Sequence, residues 1–398
     1  MEKAVGIICE FNPFHFGHAY LFKKVKEAFP EKSIVCVMSG NFVQRGSFAI
    51  QEKYSRAKCA LLAGADLVLE LPYPFSSLSA ESFGAAAVSI LSAIGVCDTL
   101  AFGSESGDKE GLLQAVENLS SPEYQKNLEI YRKNNPGKGY PFARQTVYEE
   151  MFGPCDFFSQ PNASLGLSYL QAIRYQGADL SPFVVERKGE TITSTKTEGD
   201  FLSATAIRSL IEKELTFEGK VPDFVVNELE KERKEGRFPV SMESLSTALF
   251  YLIKTKSRKE LSAYYGFSAL SDRAKKFVSQ CDTIEELVSK MNSVSFTDSR
   301  IRRGLLALLL GTSRYAEKDL PRFSMVLAAG EKGRELLSLM KEKSTIPVFT
   351  KPAHPLKCED ALVLKQFSAS ALADEVYAMA FPQRQTEGYF LKKTPTII

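Results

Sequence analysis

Residues 4–18, AVGIICEFNPFHFGH, decide the fold of this chain. Ala4 to Cys9 is an apolar run of strand length, and the segment 16–28 has the apolar spacing of a helix. His15 and His18 lie where the strand gives way to the helix. Imidazoles three residues apart lie on one side of a first helical turn, where both can donate hydrogen bonds to one anion. The helix N-terminus adds unpaired N–H groups, and Gly17 lets a phosphate approach the backbone. The pattern predicts a nucleotide-phosphate site, although a histidine pair that only caps the helix fits it too.

The composition is that of an ordinary globular protein of two or three domains. The 398 residues are 44% hydrophobic and 25% charged. No apolar run approaches the ~20 residues that span a bilayer, and the start Met1-Glu2-Lys3 lacks a signal-peptide core. Seven cysteines are scattered without Cys-x-x-Cys spacing. We therefore expect no membrane partner, no disulfide partner, no metal site and a cytoplasmic location.

The first 210 residues alternate between short apolar runs and helical segments, which predicts an α/β fold. Strands are expected at 5–9, 33–38, 67–71, 99–102 and 183–186, with helices at 16–28, 51–63, 80–93, 109–117 and 164–175. Such alternation implies a parallel sheet with helices on both faces. Ligands then bind at the carboxyl ends of the strands.

From about Val221 the pattern becomes mainly helical. Helical segments are predicted at 227–237, 243–253, 273–278, 284–291 and 301–310, with a closing helix at 371–379. The segments 346–349 and 361–364 are predicted to form a small strand pair. The expected division is a catalytic domain at 1–215 and a mainly helical region at 216–398.

Charge is unevenly distributed although the net charge is only +2. Residues 254–334 contain 16 Lys and Arg against 9 Asp and Glu. This excess is typical of a surface that binds a polyanion, although a solvated helical surface explains it equally well. Aromatic side chains at 264, 265, 267, 296 and 315 lie among the cations and are either base-stacking or core residues.

The loops after the predicted strands carry further candidates. Arg45 follows the second strand, Gly103 the fourth, and Arg187 ends the fifth. Asn162 is suited either to cap the next helix or to contact a base or ribose. Ser203 and Thr205 open a helix with hydroxyl groups, and Arg208 follows in its first turn, where the three residues suit the β- and γ-phosphates of a nucleotide.

Two motifs about 190 residues apart in the sequence resemble the HxGH and ISSTxIR pair of the nucleotidyltransferase superfamily. They are His15-to-His18 and Ser203-to-Arg208, with Leu202 and Ala204 replacing an Ile and a Ser. Longer blocks at 10–18, 38–46, 69–72, 102–105 and 161–166 resemble the bacterial tRNA(Met) cytidine acetate ligase family. This resemblance covers the first 210 residues well and the remainder loosely.

The resemblance implies a Rossmann-like nucleotidyltransferase domain followed by the helical region. It also implies an ATP-dependent ligase that activates acetate as acetyl-adenylate. The acetyl group then passes to the wobble cytidine of elongator tRNA(Met), giving N4-acetylcytidine. The ATP-binding residues it implies are Ile7, Ile8, Cys9, Glu10, Phe11, Asn12, Pro13, Phe14, His15, Phe16, Gly17, His18, Ala19, Tyr20, Gly103, Asn162 and Arg187.

In this interpretation, His15 and His18 contact the α-phosphate while Ser203, Thr205 and Arg208 hold the departing pyrophosphate. Mg²⁺ is expected with the phosphates, without a carboxylate cluster to identify its ligands. The expected tRNA-binding residues are Lys254, Lys256, Arg258, Lys259, Lys275, Lys276, Arg300, Arg302 and Arg303. Two alternatives stay open: an adenylyltransferase acting on a small phosphorylated metabolite, and a non-catalytic RNA-binding protein with a degenerate nucleotide pocket.

Overall fold

The computed structural model describes residues 3–187 and 202–398. Met1 and Glu2, which were considered above for a signal peptide, lie outside the described residues. Its strands are β1 (Ala4–Cys9), β2 (Ile34–Ser39), β3 (Phe42–Val43), β4 (Ser47–Phe48), β5 (Leu67–Leu71), β6 (Cys97–Ser104), β7 (Ser181–Glu186), β8 (Ser324–Ala329), β9 (Val348–Phe349) and β10 (Thr396–Ile397). The short strands β3 and β4 form a separate antiparallel hairpin.

The central sheet has the order β10-β8-β5-β2-β1-β6-β7 in the described residues, with β9 added beside β8. Within this order, the five neighbouring strands β5, β2, β1, β6 and β7 run parallel to one another. The chain leaves β1 towards β2 on one side and later returns to β6 on the other. That reversal opens a crevice at the carboxyl ends of β1 and β6, the usual ligand site of such sheets.

The sheet is buried on both faces, as its continuous apolar strands require. All six residues of β1 are buried, and so are all six of β2. Successive side chains of a strand point to opposite faces. Val5, Ile7 and Cys9 therefore pack into one hydrophobic core, and Ala4 and Ile8 into the other.

Helices cover both faces and make up most of the second half of the chain. They are α1 (Phe16–Ala28), α2 (Lys53–Leu62), α3 (Ala80–Ala93), α4 (Lys109–Ser120), α5 (Pro122–Asn134), α6 (Tyr140–Phe152), α7 (Pro161–Gln176), α8 (Ala204–Glu212), α9 (Asp223–Lys234), α10 (Ser246–Thr255), α11 (Arg258–Leu261), α12 (Ser271–Phe277), α13 (Ile284–Met291), α14 (Asp298–Leu309), α15 (Glu331–Lys343) and α16 (Ala361–Ala378). The predicted bounds of α1, α3 and α13 agree with the structure. None of the helices in the described residues is long and apolar enough to cross a membrane.

The predicted strand pair at 346–349 and 361–364 is wrong. Residues 348–349 pair with β8, and residues 361–364 form the first turn of α16. Four apolar residues are too few to separate a strand from a buried helix by period alone. Asp360 supplied the missing signal, since its carboxylate caps the helix by accepting the Leu362 and Val363 N–H groups. The predicted closing helix 371–379 is the second half of α16.

The C-terminal half also completes the central sheet, which the sequence did not indicate. Strand β8 pairs antiparallel with β5, and β10 pairs parallel with β8. The division at residue 215 stays a prediction, but the sheet contains strands from both sides of it.

A buried charge cluster, which we call the Lys53 triad, also joins the two halves of the chain. The ammonium of Lys53 lies 2.8 Å from a carboxylate oxygen of Glu70 and 2.5 Å from one of Asp374 on α16. Asn41 donates a further hydrogen bond to Asp374. These contacts connect α16 to α2 and to strand β5 of the central sheet.

Candidate active site

One large cavity of about 1730 Å³ opens at the carboxyl ends of β1 and β6. His15 and His18 line it from the start of α1, and Thr205 and Arg208 line it from α8. The structure thus brings together the two motifs that lie far apart in the sequence. Pockets for small molecules usually have ~300–1000 Å³, so this cavity has room for more than a nucleotide.

The histidine pair both caps the helix and lines the cavity, so the two interpretations of its sequence are compatible. Nδ1 of His15, the N-cap residue of α1, accepts the Gly17 N–H at 3.0 Å. Nδ1 of His18 accepts the His15 N–H at 3.2 Å. Since Nδ1 is the acceptor in each ring, a neutral imidazole carries its proton on Nε2. Both histidines therefore have Nε2–H as the remaining hydrogen-bond donor.

The surroundings of the pair keep both rings neutral. Burial lowers the pKa of His15 to about 3, and the charges of Arg187 and Arg208 add to this effect. Burial also places the pKa of His18 well below its usual value, with contributions from His15 and Arg187. The pair therefore offers two uncharged donors at neutral pH.

The structure adds a second reason for a glycine at position 17, while the close approach of a phosphate stays a prediction. A Cβ at this position would lie 2.8 Å from Cε1 and 3.1 Å from Nδ1 of His15. The missing side chain lets the His15 ring fold back over the helix start and accept the Gly17 N–H. Gly17 itself does not line the cavity, whereas both histidine rings do.

Arg208 connects α8 to the loop after β1. Its guanidinium donates to the backbone oxygen of Asn12 at 2.7 Å and to the hydroxyl of Thr205 at 3.1 Å. Asn12 in turn accepts the Ile50 N–H through its side chain. Ser203 is buried as the N-cap of α8, where its hydroxyl accepts the Ala206 N–H at 3.1 Å. Thr205 and Arg208 line the cavity, while Ser203 shapes the start of the helix.

Arg187 and Asn162 form a second polar wall at the end of β6. The Arg187 guanidinium donates to the amide oxygen of Asn162 at 3.0 Å, and the Asn162 amide donates to Glu105 at 2.7 Å. The Glu105 carboxylate also accepts the N–H groups of residues 162 and 163. Glu105 therefore caps α7, and Asn162 joins this cap to the arginine. Gly103 lies beside Arg187, where a Cβ would come within 3.0 Å of its side chain.

Arg56 holds backbone segments next to the cavity in place. The sequence analysis did not identify this role. It is fully buried and donates to the backbone oxygens of Glu10, Ser39, Gly40 and Gln51. These oxygens belong to the residue after β1, to the end of β2 and the residue that follows it, and to the loop that precedes α2. A single arginine within a helical segment gives no sign of this role, because its acceptors are brought together only by the fold.

Most of the predicted ATP-binding residues lie on the cavity wall. Gly103, Asn162 and Arg187 line it, as do Ile7, Ile8, Cys9, Glu10, Phe11, Asn12, His15 and His18. Six described residues of the segment 7–20 do not line it, namely Pro13, Phe14, Phe16, Gly17, Ala19 and Tyr20. The roles assigned to all these residues stay predictions.

The predicted tRNA-binding cations are divided between the cavity and the outer surface. Arg300 and Arg303 line the cavity. Arg302 does not, and it forms an ion pair with Glu285. The other predicted cations also lie outside the cavity lining: Lys254, Lys256, Arg258, Lys259, Lys275 and Lys276.

The opposite wall of the cavity adds residues that the sequence analysis did not select. They come from the end of α5, from α6 and from the loop between these two helices. Arg132 lies over the ring of Tyr140 at 5.3 Å, and Lys138 over the ring of Phe142 at 4.8 Å. Both rings are at least 40% exposed. Paired cations and exposed aromatic rings suit the backbone and bases of a single-stranded nucleic acid.

The strand order, the crevice and the histidine motif define a nucleotidyltransferase fold. The sequence model of the family described as HIGH Nucleotidyl Transferase matches residues 2–389. An apo crystal structure of Thermotoga maritima TmcAL is similar to this chain with a TM-score of 0.93 and 31% identity, covering 100% of this chain and 99% of that one. The T. maritima TmcAL bound with alpha-thio ATP is similar with a TM-score of 0.91, 30% identity and the same coverage.

Curated relatives agree with this match. The tRNA(Met) cytidine acetate ligase of Caldanaerobacter subterraneus subsp. tengcongensis is 37% identical over 391 residues, covering 95% of this chain and 96% of the relative. That of Thermoanaerobacter sp. strain X514 is 34% identical, covering 96% and 97%. The chain therefore belongs to the HIGH nucleotidyltransferases and, within them, to the tRNA(Met) cytidine acetate ligase family.

Proposed function

We propose that this protein uses ATP to join acetate to the wobble cytidine of elongator tRNA(Met), forming N4-acetylcytidine. The observation that carries the proposal is the pair of uncharged Nε2–H donors, which lines the same cavity as Arg187 and Arg208. Membership of the ligase family supports the choice of substrates. The size of the cavity supports a second, large substrate beside the nucleotide.

In the first step, an acetate oxygen attacks the α-phosphorus of ATP. The bond from this phosphorus to the bridging oxygen breaks, and pyrophosphate leaves with the electron pair. Positioning and charge stabilisation carry such a phosphoryl transfer. His15 and His18 donate through Nε2 to the non-bridging oxygens of the α-phosphate. Because both rings are already neutral donors, they need no proton change during the step.

The departing pyrophosphate binds at the N-terminus of α8. Thr205 and Arg208 provide a hydroxyl and a positive charge there, and the helix dipole favours the anion. Ser203 acts through its cap of the helix, which fixes where the first N–H groups lie. Arg187, supported by Asn162, supplies the second fixed charge.

In this proposal, Mg²⁺ is bound by the triphosphate of ATP. The described residues contain no group of three or more His, Cys, Asp or Glu side chains that could hold a metal ion. Mg²⁺ commonly keeps its waters and binds through substrate phosphates. The phosphates of ATP would therefore carry the ion into the site, where it would neutralise part of their charge.

In the second step, the cytidine amine attacks the carbonyl carbon of acetyl-adenylate and AMP leaves. We propose that the anticodon loop enters the cavity between α6 and α14. Arg300 and Arg303 on α14, together with Arg132 on α5 and Lys138 in the loop after it, would meet its backbone. The outer cations from Lys254 to Lys276 would contact the rest of the tRNA. A tRNA substrate, together with the free cysteines of the described residues, supports a cytoplasmic location.

Exchange of labelled pyrophosphate into ATP tests the first step. We expect exchange that depends on acetate and occurs without tRNA. Mass spectrometry of elongator tRNA(Met) after incubation with enzyme, ATP and acetate tests the second. Exchange that instead requires a small phosphorylated metabolite would establish the adenylyltransferase alternative. Absence of ATP binding by calorimetry would favour the non-catalytic alternative. Acetylation from acetyl-CoA alone would contradict the proposed donor.

A further inference from the structure

Glu10 places a carboxylate in a part of the cavity that is otherwise rich in positive charge. It is the residue after β1 and lines the cavity together with Arg45 and Arg208. One of its carboxylate oxygens accepts the Gln44 N–H at 2.6 Å. The backbone oxygen of Glu10 accepts a hydrogen bond from Arg56. Hydrogen bonds therefore hold both the carboxylate and the backbone of Glu10 in place.

The groups that react in the first step do not favour a carboxylate at this end of the cavity. Acetate, the triphosphate and pyrophosphate are all anions, which a carboxylate repels. The second step does provide a partner. The exocyclic amine of cytosine has N–H donors, and carboxylates are the side chains that accept hydrogen bonds from it.

We propose that Glu10 forms the subsite for the acceptor amine and takes its proton during acyl transfer. This inference rests on the proposed function. The amine nitrogen forms a bond to the carbonyl carbon while the bond from this carbon to the phosphate oxygen breaks. AMP leaves with that electron pair, and one amine proton passes to the carboxylate of Glu10. No further reactant is needed.

The environment of Glu10 suits both tasks. Burial raises the pKa of Glu10, while the Gln44 N–H and the charges of Arg45, Arg208 and Arg56 oppose the rise. A base is most effective when its pKa lies close to the working pH. The same carboxylate would repel the carbonyl oxygen that uridine presents in place of the amine, so Glu10 also selects cytidine.

Glu10→Gln is the sharpest test, because the amide oxygen can still accept the Gln44 N–H. Hydroxylamine, used without tRNA, traps acetyl-adenylate as acetohydroxamate and reports the first step alone. Because the resemblance also places Glu10 in the ATP-binding segment, the decisive quantity is the ratio of the two rates, and we expect acetohydroxamate formation to fall much less than tRNA acetylation. Single-turnover acetylation of tRNA should fall about 10²–10⁴-fold, the range for loss of a general base. Glu317→Gln, at an exposed carboxylate of the same cavity, is the matched control and should leave both rates unchanged.

Several results would overturn the inference. Equal loss of acetohydroxamate and acetylated tRNA in Glu10→Gln would place Glu10 in ATP binding or in the fold. Unchanged tRNA acetylation would exclude it as the base. A wild-type enzyme that yields no acetohydroxamate would refute the proposed function itself, which separates the two failures. As a second readout, transcripts with uridine at the wobble position should bind wild-type enzyme about tenfold more weakly than cytidine transcripts. The Glu10→Gln variant should bind the uridine and cytidine transcripts with more similar affinities.

Discussion

The imidazole rings of His15 and His18 stack with their centroids 3.8 Å apart and an angle of 23° between their planes. Each ring is held at Nδ1 by a backbone N–H, so the pair acts as one rigid unit with two Nε2–H donors. Here capping fixes the tautomer and leaves the other ring nitrogen for the substrate.

Replacing His18 by Ala should abolish most acetyl-adenylate formation. The loss of one preorganised donor to a developing charge typically reduces a rate about 10²–10³-fold. Acetate-dependent pyrophosphate exchange measures the effect, and tRNA affinity should be nearly unchanged. His354→Ala removes an exposed imidazole and is the matched control. Loss of tRNA binding together with exchange would indicate misfolding of His18→Ala instead.

Acid should destabilise the protein through His15. Its pKa is near 3 in the fold but ordinary in the unfolded chain, so only the unfolded state gains a proton as the pH falls from about 6.5 to 3. Stability is then full above about pH 6.5 and decreases below it. Between pH 7 and 5 the loss due to His15 should be about 2 kcal/mol.

Urea unfolding at the two pH values measures this loss, with His15→Asn as the comparison. Asn is a good N-cap residue that does not titrate, so this variant should lack the part of the acid dependence that His15 contributes and keep the part due to His18. If wild type and His15→Asn lose equal stability between pH 7 and 5, the histidine is not the group responsible.

Replacing Arg300 and Arg303 by Ala should weaken tRNA binding and make it less dependent on salt. Each lost phosphate contact lowers the slope of log affinity against log salt by about one. Affinity measured at several salt concentrations tests this, while acetohydroxamate formation should be intact. Lys275→Ala with Lys276→Ala gives the comparison on the outer surface, where we expect a smaller change. A larger change in that second variant would place the main RNA contact outside the cavity.

Asp374→Ala should destabilise the fold by about 3–5 kcal/mol, the range for breaking a buried ion pair. The substitution leaves the Lys53 ammonium with Glu70 alone in a fully buried position. Urea unfolding measures the change. Asp272→Ala breaks the exposed pair with Arg258 and should cost less than about 1 kcal/mol. Similar losses in the two variants would show that burial does not strengthen the Lys53 triad.

Helix bounds were predicted most accurately from the sequence where an apolar helical period begins directly after a recognisable N-cap residue. Helix α3 combines an apolar face with Ser79 as N-cap, and its bounds were predicted correctly. Strand β8 was missed because Ser-Met-Val-Leu-Ala-Ala lacks a clear strand pattern, and the strands that pair with it, β5, β9 and β10, are distant in the sequence. In the site, the histidine and Arg208 motifs were visible as patterns. The roles of Arg56 and Glu105 were not, because their partners are distant in sequence and are brought together only by folding.

The position of β8 has a consequence for how a cell makes this protein. Strand β5 ends at Leu71, yet the strand that covers its outer edge is complete only at Ala329. A nascent chain on the ribosome therefore exposes an unpaired, apolar strand edge through most of its synthesis. Such edges invite association between unfinished chains. Chaperone binding to the growing polypeptide would protect this edge until β8 has emerged.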